Sequence, residues 1–235
     1  MSFADSLDIL FEDNHCLALN KPAGWPTTHF DGTEETVDRL AKAYLKEKHA
    51  KPGNVFLGVV HRLDKPTSGV LLFARTSKAA ARLSEQFREG GIEKSYWAMV
   101  ENWDASGLGD HGAFEDWLKK NDATARVESV PKDTFESQYA RLVYAVQARH
   151  GGLTWLELRP HTGRKHQLRV QLSSRGCPIY GDGKYGSPHL FGPAIALHAR
   201  SLTFLHPVSK EPITLVAEPP KPWKGRFAHL MRERS

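Results

Sequence analysis

Apolar residues in this chain come in short runs separated by glycine, proline and charged clusters, a pattern that favours strands over long helices. Residues 7–21, LDILFEDNHCLALNK, set two such runs around a polar step at Glu12 to Asn14, which predicts two short strands and a turn. Pro22, Gly24 and Pro26 then mark a loop. From Thr36 to Lys48, Val37, Leu40, Ala41, Tyr44 and Leu45 recur at helical spacing, with Glu34 and Glu35 near the start. Residues 56–60 and 70–74 read as buried strands on either side of the loop HRLDKPTSG. A helix is expected over 77–88, with Ser77 as N-cap, Ala80, Ala81, Leu83, Ser84 and Phe87 on one face, and Gly90-Gly91 as its stop. Residues 94–101 alternate as a strand. The polar, turn-rich stretch 102–135 has no decisive period. Strands follow at 137–147 and 153–158, joined by Arg149 to Gly152, then a helix at 166–175 with Leu168 and Leu172 four apart. Two last strands are expected at 195–204 and 213–217. No repeat and no regular βαβ alternation is present, so the expected class is α+β, with a mixed, largely antiparallel central sheet and flanking helices.

Composition narrows the function classes only slightly. The chain has 235 residues, 40% hydrophobic and 25% charged, which suits a soluble domain with a sizeable core. Lys and Arg number 32 against 27 Asp and Glu, and the net charge of +5 is compatible with a polyanionic partner without requiring one. Cys16 and Cys177 are the only cysteines and lack zinc-type spacing, so two reduced, buried thiols are expected. The N-terminal MSFADSLDILFEDNHC lacks the basic start and long apolar run of a signal peptide, and no apolar stretch approaches the ~20 residues of a membrane helix. The expected location is cytoplasmic.

Chemistry concentrates in four segments. In VVHRLDKPTSGVLLFAR, residues 59–75, a loop between apolar runs holds an imidazole, a guanidinium and the carboxylate of Asp64, stiffened by Pro66. An ordinary loop with Arg62 and Asp64 as a solvated pair is the plainer alternative, and structural pairs are common. In RPHTGRKHQLRVQL, residues 159–172, Arg159, Arg164, Lys165 and Arg169 give a cation density suited to phosphate. A helix there would put Lys165 and Arg169 on one face; a solvated basic surface is the alternative. Tyr96 and Trp97 in EKSYWAMVE point to opposite sides of a strand, and one ring is available to stack on a base, although either ring alone is more often core. CPIYGDGKYG, residues 177–186, is a tight glycine loop without the GxxxxGK[ST] pattern of a phosphate-binding loop. His161, His166 and His198 lack the spacing of a metal site, and no metal or cofactor is expected.

Taken together, these segments resemble the RluA-type family of pseudouridine synthases. HRLDKPTSG is similar to the family's HRLD-x-x-TSG, EKSYWAMV to K-x-Y-x-A-x-V, and TGRKHQLRVQL to G-R-x-H-Q-[IL]-R. CPIYGDGKYG resembles P-I-x-G-D-x-x-Y-G, ALHARSLTFLHP resembles L-H-A-x-x-L-x-F-x-H-P, and NKPAG at 20–24 also fits. The matches keep the family's order across most of the chain. The resemblance implies that Asp64 is the catalytic aspartate, that Tyr96 stacks on the target base, and that Arg169 pairs with the aspartate. It further implies that Arg62 enters the duplex where the base leaves and that Leu197 helps wall the uracil pocket, with Arg164, Lys165 and His166 as further substrate contacts. Lys165 stands where the family usually has Ser or Thr, and 102–135 looks peculiar to a subgroup. Both bear on substrate choice.

The resemblance implies one catalytic domain over 1–235, two lobes around an RNA-binding cleft, with no separate N-terminal RNA-binding domain. The implied reaction breaks the bond from ribose to uracil nitrogen and remakes it to a ring carbon, with no redox change and no energy source. The base must leave its stack, at a cost of a few kcal/mol. Asp64 must be ionised either to attack the sugar or to deprotonate it, and Arg169 would hold it so against burial. The expected partner is ribosomal or transfer RNA, with no membrane, no obligate protein partner and a monomeric state. Two other classes remain in view. A non-catalytic RNA-binding module would not need Asp64. A glycosidase-like hydrolase would want two carboxylates, and Asp182 reads as a structural loop residue.

Overall fold

The computed structural model describes residues 7–28 and 35–231, so Glu34, expected at a helix start, and the first six residues lie outside the described part. In chain order the elements begin with β1 (Ile9–Glu12), β2 (Cys16–Lys21), α1 (Val37–Lys48), β3 (Gly58–Val59), β4 (Ser68–Ala74) and α2 (Ser77–Glu89). There follow β5 (Glu93–Glu101), β6 (His111–Asn121), β7 (Arg126–Val130), β8 (Gln138–His150), β9 (Leu153–Pro160) and α3 (Gln167–Ser173). The chain closes with β10 (Leu197–Leu205), β11 (Pro212–Val216), α4 (Lys221–Arg226) and α5 (Ala228–Met231). The expected α+β class, with largely antiparallel strands and flanking helices, is what these elements form.

The chain divides into two compact units, one of Met1–Glu93 with Ala199–Glu218, the other of Lys94–His198 with Pro219–Ser235. In the first, β2 lies between β1 and β4, with Cys16 opposite Ala74 and Lys21 opposite Gly69. Every residue of β4 is buried, which is why its sequence is a continuous apolar run rather than an alternating one. Leu83 and Ala79 of α2 pack with Val70, Leu72, Leu202 and Phe204 into this unit's core. α2 starts at Ser77, the residue expected to cap it: the N-cap is Thr76, one residue earlier, its side chain accepting from the Ala79 N–H, and Gly90 ends the helix at φ 77°. The strand expected over 56–60 shrinks to the two residues of β3, because only Gly58 and Val59 find partners on β4, and Phe56 is 52% exposed.

In the second unit the strand order is β5-β9-β8-β6-β7, with neighbours antiparallel. The stretch without a legible period holds β6, β7 and a 3-10 turn at Trp103–Ser106. Only Phe114, Leu118 and Val127 of β6 and β7 are fully buried, so one face of this ribbon is polar and the apolar signal is sparse. Asn121 makes its turn, Oδ1 accepting the N–H groups of Ala123 and Thr124. α3 packs on the other side of the sheet through Leu168 and Leu172, which join Leu142, Leu156, Leu158 and Trp155 in the core. It runs from Gln167 to Ser173, shorter at both ends than expected.

Candidate active site

The Asp64 loop is pinned from four directions within the first unit. His61 turns inward: its Nε2 accepts the Leu72 N–H at 2.9 Å and its ring stacks on Phe87 at 4.6 Å. That bond makes Nε2 the bare nitrogen and places the neutral ring's proton on Nδ1. Leu63 is buried, and its N–H and C=O both bond the Thr27 hydroxyl, at 3.2 and 2.9 Å. The Lys65 carbonyl accepts the Gly24 N–H at 2.8 Å, and the Thr67 N–H closes a turn onto the Asp64 carbonyl at 3.0 Å. Gly69 then passes β10 at φ 116°, where a Cβ would lie 2.2 Å from the Ala199 carbonyl oxygen. Burial alternates along the loop: His61 and Leu63 face in, Arg62 is exposed, and Asp64 is half-buried.

Lys21 is the loop's buried fastener. Its Nζ donates to the carbonyls of Pro22, Trp25 and Lys65 at 2.9, 2.7 and 3.2 Å. Burial drags its ammonium down to about 7, while the negative charge of Asp64 pulls the other way. Three carbonyl acceptors need three N–H donors, which only the protonated amine offers, so these bonds favour the charged form. NKPAG, in the sequence only a motif match, thus has a physical role, since it grips the backbone on the C-terminal side of Asp64.

In the second unit the conspicuous feature is a buried cation. Arg169 on α3 is 5% exposed, and Nε and Nη2 donate to Asp182 Oδ2 and Oδ1 at 2.6 and 2.8 Å. Its guanidinium also lies 4.9 Å from the Tyr185 ring centre. The Tyr185 hydroxyl accepts the Val127 N–H at 3.1 Å and lies 2.7 Å from His166 Nδ1. His166 holds the left-handed conformation at φ 53° as the cap of α3. One alternative falls away here and one sequence expectation is corrected. Arg169 is not part of a solvated basic helix face, and Lys165 precedes the helix rather than sharing a face with it. A charge as buried as Arg169 is held by a carboxylate, which the fold supplies from the glycine loop through Asp182.

The other expected contacts sit around this core. Arg164 and Lys165 are exposed, and Arg164 Nε donates to the Tyr139 carbonyl at 2.9 Å. Gln167, buried, ties the loop down: its Oε1 accepts from the Arg164 N–H at 3.0 Å and from the Thr162 hydroxyl at 2.7 Å. Tyr96 is half-buried opposite Leu158. Leu197 is in the apolar core with Leu168, Leu172 and Ile179. Burial also lowers the Lys94 ammonium, whose Nζ donates to the Thr162 carbonyl at 3.4 Å. Asp182, Tyr185 and Lys21 were missed as site residues by sequence reasoning. Each lies inside one of the matched motifs, which was the available signal.

Both cysteines are free and buried, as expected, and burial pushes the Cys16 thiol up to about 12. Asp13, Cys16 and His206 come within 4.8 Å of one another. They read as a latch rather than a metal centre. His206 Nε2 meets Asp13 Oδ2 at 2.8 Å, and its Nδ1 accepts from the Val208 and Ser209 N–H groups, so both ring nitrogens are engaged.

The first unit carries a pinned loop with Asp64 and the second a buried, carboxylate-bound arginine, and each lies in a segment that resembles a pseudouridine synthase motif. Similarity to known proteins agrees. The family described as RNA pseudouridylate synthase matches residues 15–174, and the chain belongs to that family; it is an RNA pseudouridine synthase, an isomerase. A tRNA pseudouridine synthase C of Yersinia pestis is 34% identical over 95% of this chain and 91% of its own length. The protein of that name from Pectobacterium carotovorum is 34% identical over 96% of this chain, which spans 62% of it. A ribosomal large subunit pseudouridine synthase D of Xylella fastidiosa is 35% identical over 92% of this chain and 66% of that protein. Among solved structures, human RNA pseudouridylate synthase domain containing 4 superposes with a TM-score of 0.76 at 26% identity, covering 93% of this chain and 92% of that one. No helix among the described residues is long and apolar enough to cross a membrane.

Proposed function

We propose that this chain, as one catalytic domain made of both units, converts uridines of transfer or ribosomal RNA to pseudouridine. Asp64 is its catalytic carboxylate, Tyr96 the ring that stacks on the target base, and Arg169 the cation assigned to the carboxylate. The observation that carries the reading is the Asp64 loop itself. Lys21, Gly24, Thr27 and His61 bind the backbone around it, with Arg62 exposed and Asp64 half-buried. Rigid support of one side chain with solvent access is what a nucleophile or base requires and what a solvated surface pair does not.

Arg62 fills the stack vacated by the extruded base, and Tyr96 recovers stacking energy in the pocket that Leu197 helps wall. Arg164, Lys165 and His166 contact the RNA near the target. Arg169 favours the ionised carboxylate, whether Asp64 attacks the sugar or removes its proton; the rearrangement itself consumes nothing. A cytoplasmic location, with which two buried free thiols are in keeping, and a monomeric state complete the reading.

The test is pseudouridine mapping across total RNA from cells lacking the gene, complemented with wild type, Asp64→Ala or Arg169→Met. A site restored by wild type and by neither variant supports the reading and identifies the RNA. Full restoration by Asp64→Ala would overturn it in favour of a binding module. Near-normal turnover by Arg169→Met would remove the arginine's assignment.

A further inference from the structure

The polar ribbon β6-β7 and its neighbour β8 turn one face to the core and carry an aromatic cluster on the other. Phe114, Leu118, Val127, Ala140 and Leu142 are buried. The alternate positions hold Trp117 and Tyr139, direct register partners across β6 and β8, with ring centres 5.9 Å apart at 61°. The two rings help line an open concavity of about 520 Å³, together with Glu115, Asp116, Ser129, Val130 and Lys132, a volume within the range of small-ligand sites. Beside it, Phe135 is 80% exposed, with the Lys119 ammonium 5.8 Å from its ring centre.

The geometry points to this face as a stacking subsite for an unpaired nucleotide of the RNA substrate, outside the motifs of the catalytic machinery. This rests on the reading that RNA is the substrate. An aromatic floor suits a base, whose π-face stacks irrespective of its identity, and Lys119 and Lys132 suit the flanking phosphates. The two carboxylates of the lining are paired with cations: Asp116 accepts from Arg175 at 3.0 Å and Gln171 at 2.7 Å, and Glu115 pairs with Arg141 at 3.4 Å. The face is also continuous with the basic loop, since the Tyr139 carbonyl receives Arg164 Nε. A nucleotide held here lies on the RNA strand that Arg164 and Lys165 contact, which gives 102–135 a part in substrate choice.

An eight-residue oligouridylate carrying 5-iodouridine is cross-linked by light to the wild-type protein, and the adducts are mapped by mass spectrometry. Adducts on Trp117, Phe135 or Tyr139 are expected. Adducts confined to other segments overturn the proposal. In parallel, anisotropy measures binding of the same oligouridylate without iodine, and of an RNA duplex of equal charge. Phe135→Ala and Trp117→Leu, checked for native circular dichroism, should weaken single-strand binding by roughly fivefold or more, the range expected for loss of one stacked base. Duplex binding should change little, and Trp117→Phe should restore most of the affinity. Unchanged single-strand binding, or an equal loss for the duplex, overturns the subsite. Pseudouridine formation by wild type against Asp64→Ala on the cellular RNA is scored separately. Failure of the catalytic reading is therefore distinguishable from failure of the subsite.

Discussion

Asp182 and Gly69 show how much a single side chain, or its absence, decides in this protein. Asp182 is 1% exposed, and both its oxygens hold the guanidinium of Arg169. Replacing it by alanine leaves a buried, underpaired cation, so Asp182→Ala should lose about 3–5 kcal/mol of stability in urea unfolding. At Gly69 the backbone is left-handed and a Cβ would meet both the N and the carbonyl oxygen of Ala199. Gly69→Ala should cut the yield of folded protein sharply, with surviving material melting well below wild type. The sequence marked both residues through motifs and explained neither. The partner of Asp182 lies thirteen positions upstream on a helix, and that of Gly69 on a strand 130 residues downstream, so neither contact has a local signature.

Among the elements, α1 is fastened by a carboxylate from the end of β1. Glu12 accepts Tyr44 Oη and Lys48 Nζ at 2.8 Å each and His49 Nε2 at 2.7 Å, and pairs with Arg75 at 3.1 Å. Burial alone would raise its pKa, but bonds from Lys48, His49 and Tyr44 outweigh that and bring it from 4.5 to about 2. The folded-state pKa is thus below the unfolded one. The stabilisation is complete above pH 4.5 and is lost as pH falls toward about 2. Thermal melts of wild type should decline through that window. Glu12→Gln should melt lower at neutral pH and show a shallower acid limb. Helix and strand were each legible from apolar spacing. Their fastening was not, because Glu12 alone in a polar turn looks like any solvated acid.

For the molecule as a whole, a net charge of +5 says little about where RNA contacts lie. The structure separates the cations by burial: Arg169 and Lys21 are internal, whereas Arg62, Arg164 and Lys165 are exposed. Only exposed cations release counterions on binding. Arg164→Ala or Lys165→Ala should therefore each reduce the slope of log affinity against log salt by roughly 0.7. The check is RNA affinity measured over a salt series. A slope unchanged by both variants would remove this loop from the phosphate contacts.

The sequence by itself determined the α+β class, the order of most strands and helices, and the family, because apolar periodicity and short motifs are local properties of a chain. It left 102–135 unread, since a ribbon with one solvated face buries too few residues to show a period. Only the tertiary structure decided that Arg169 is internal and bound to Asp182, that Lys21 grips the carbonyls around the Asp64 loop, and that Trp117 and Tyr139 share a face. Each depends on residues brought together across a strand register or a loop, where desolvation and pairing, rather than residue type, set what a side chain does.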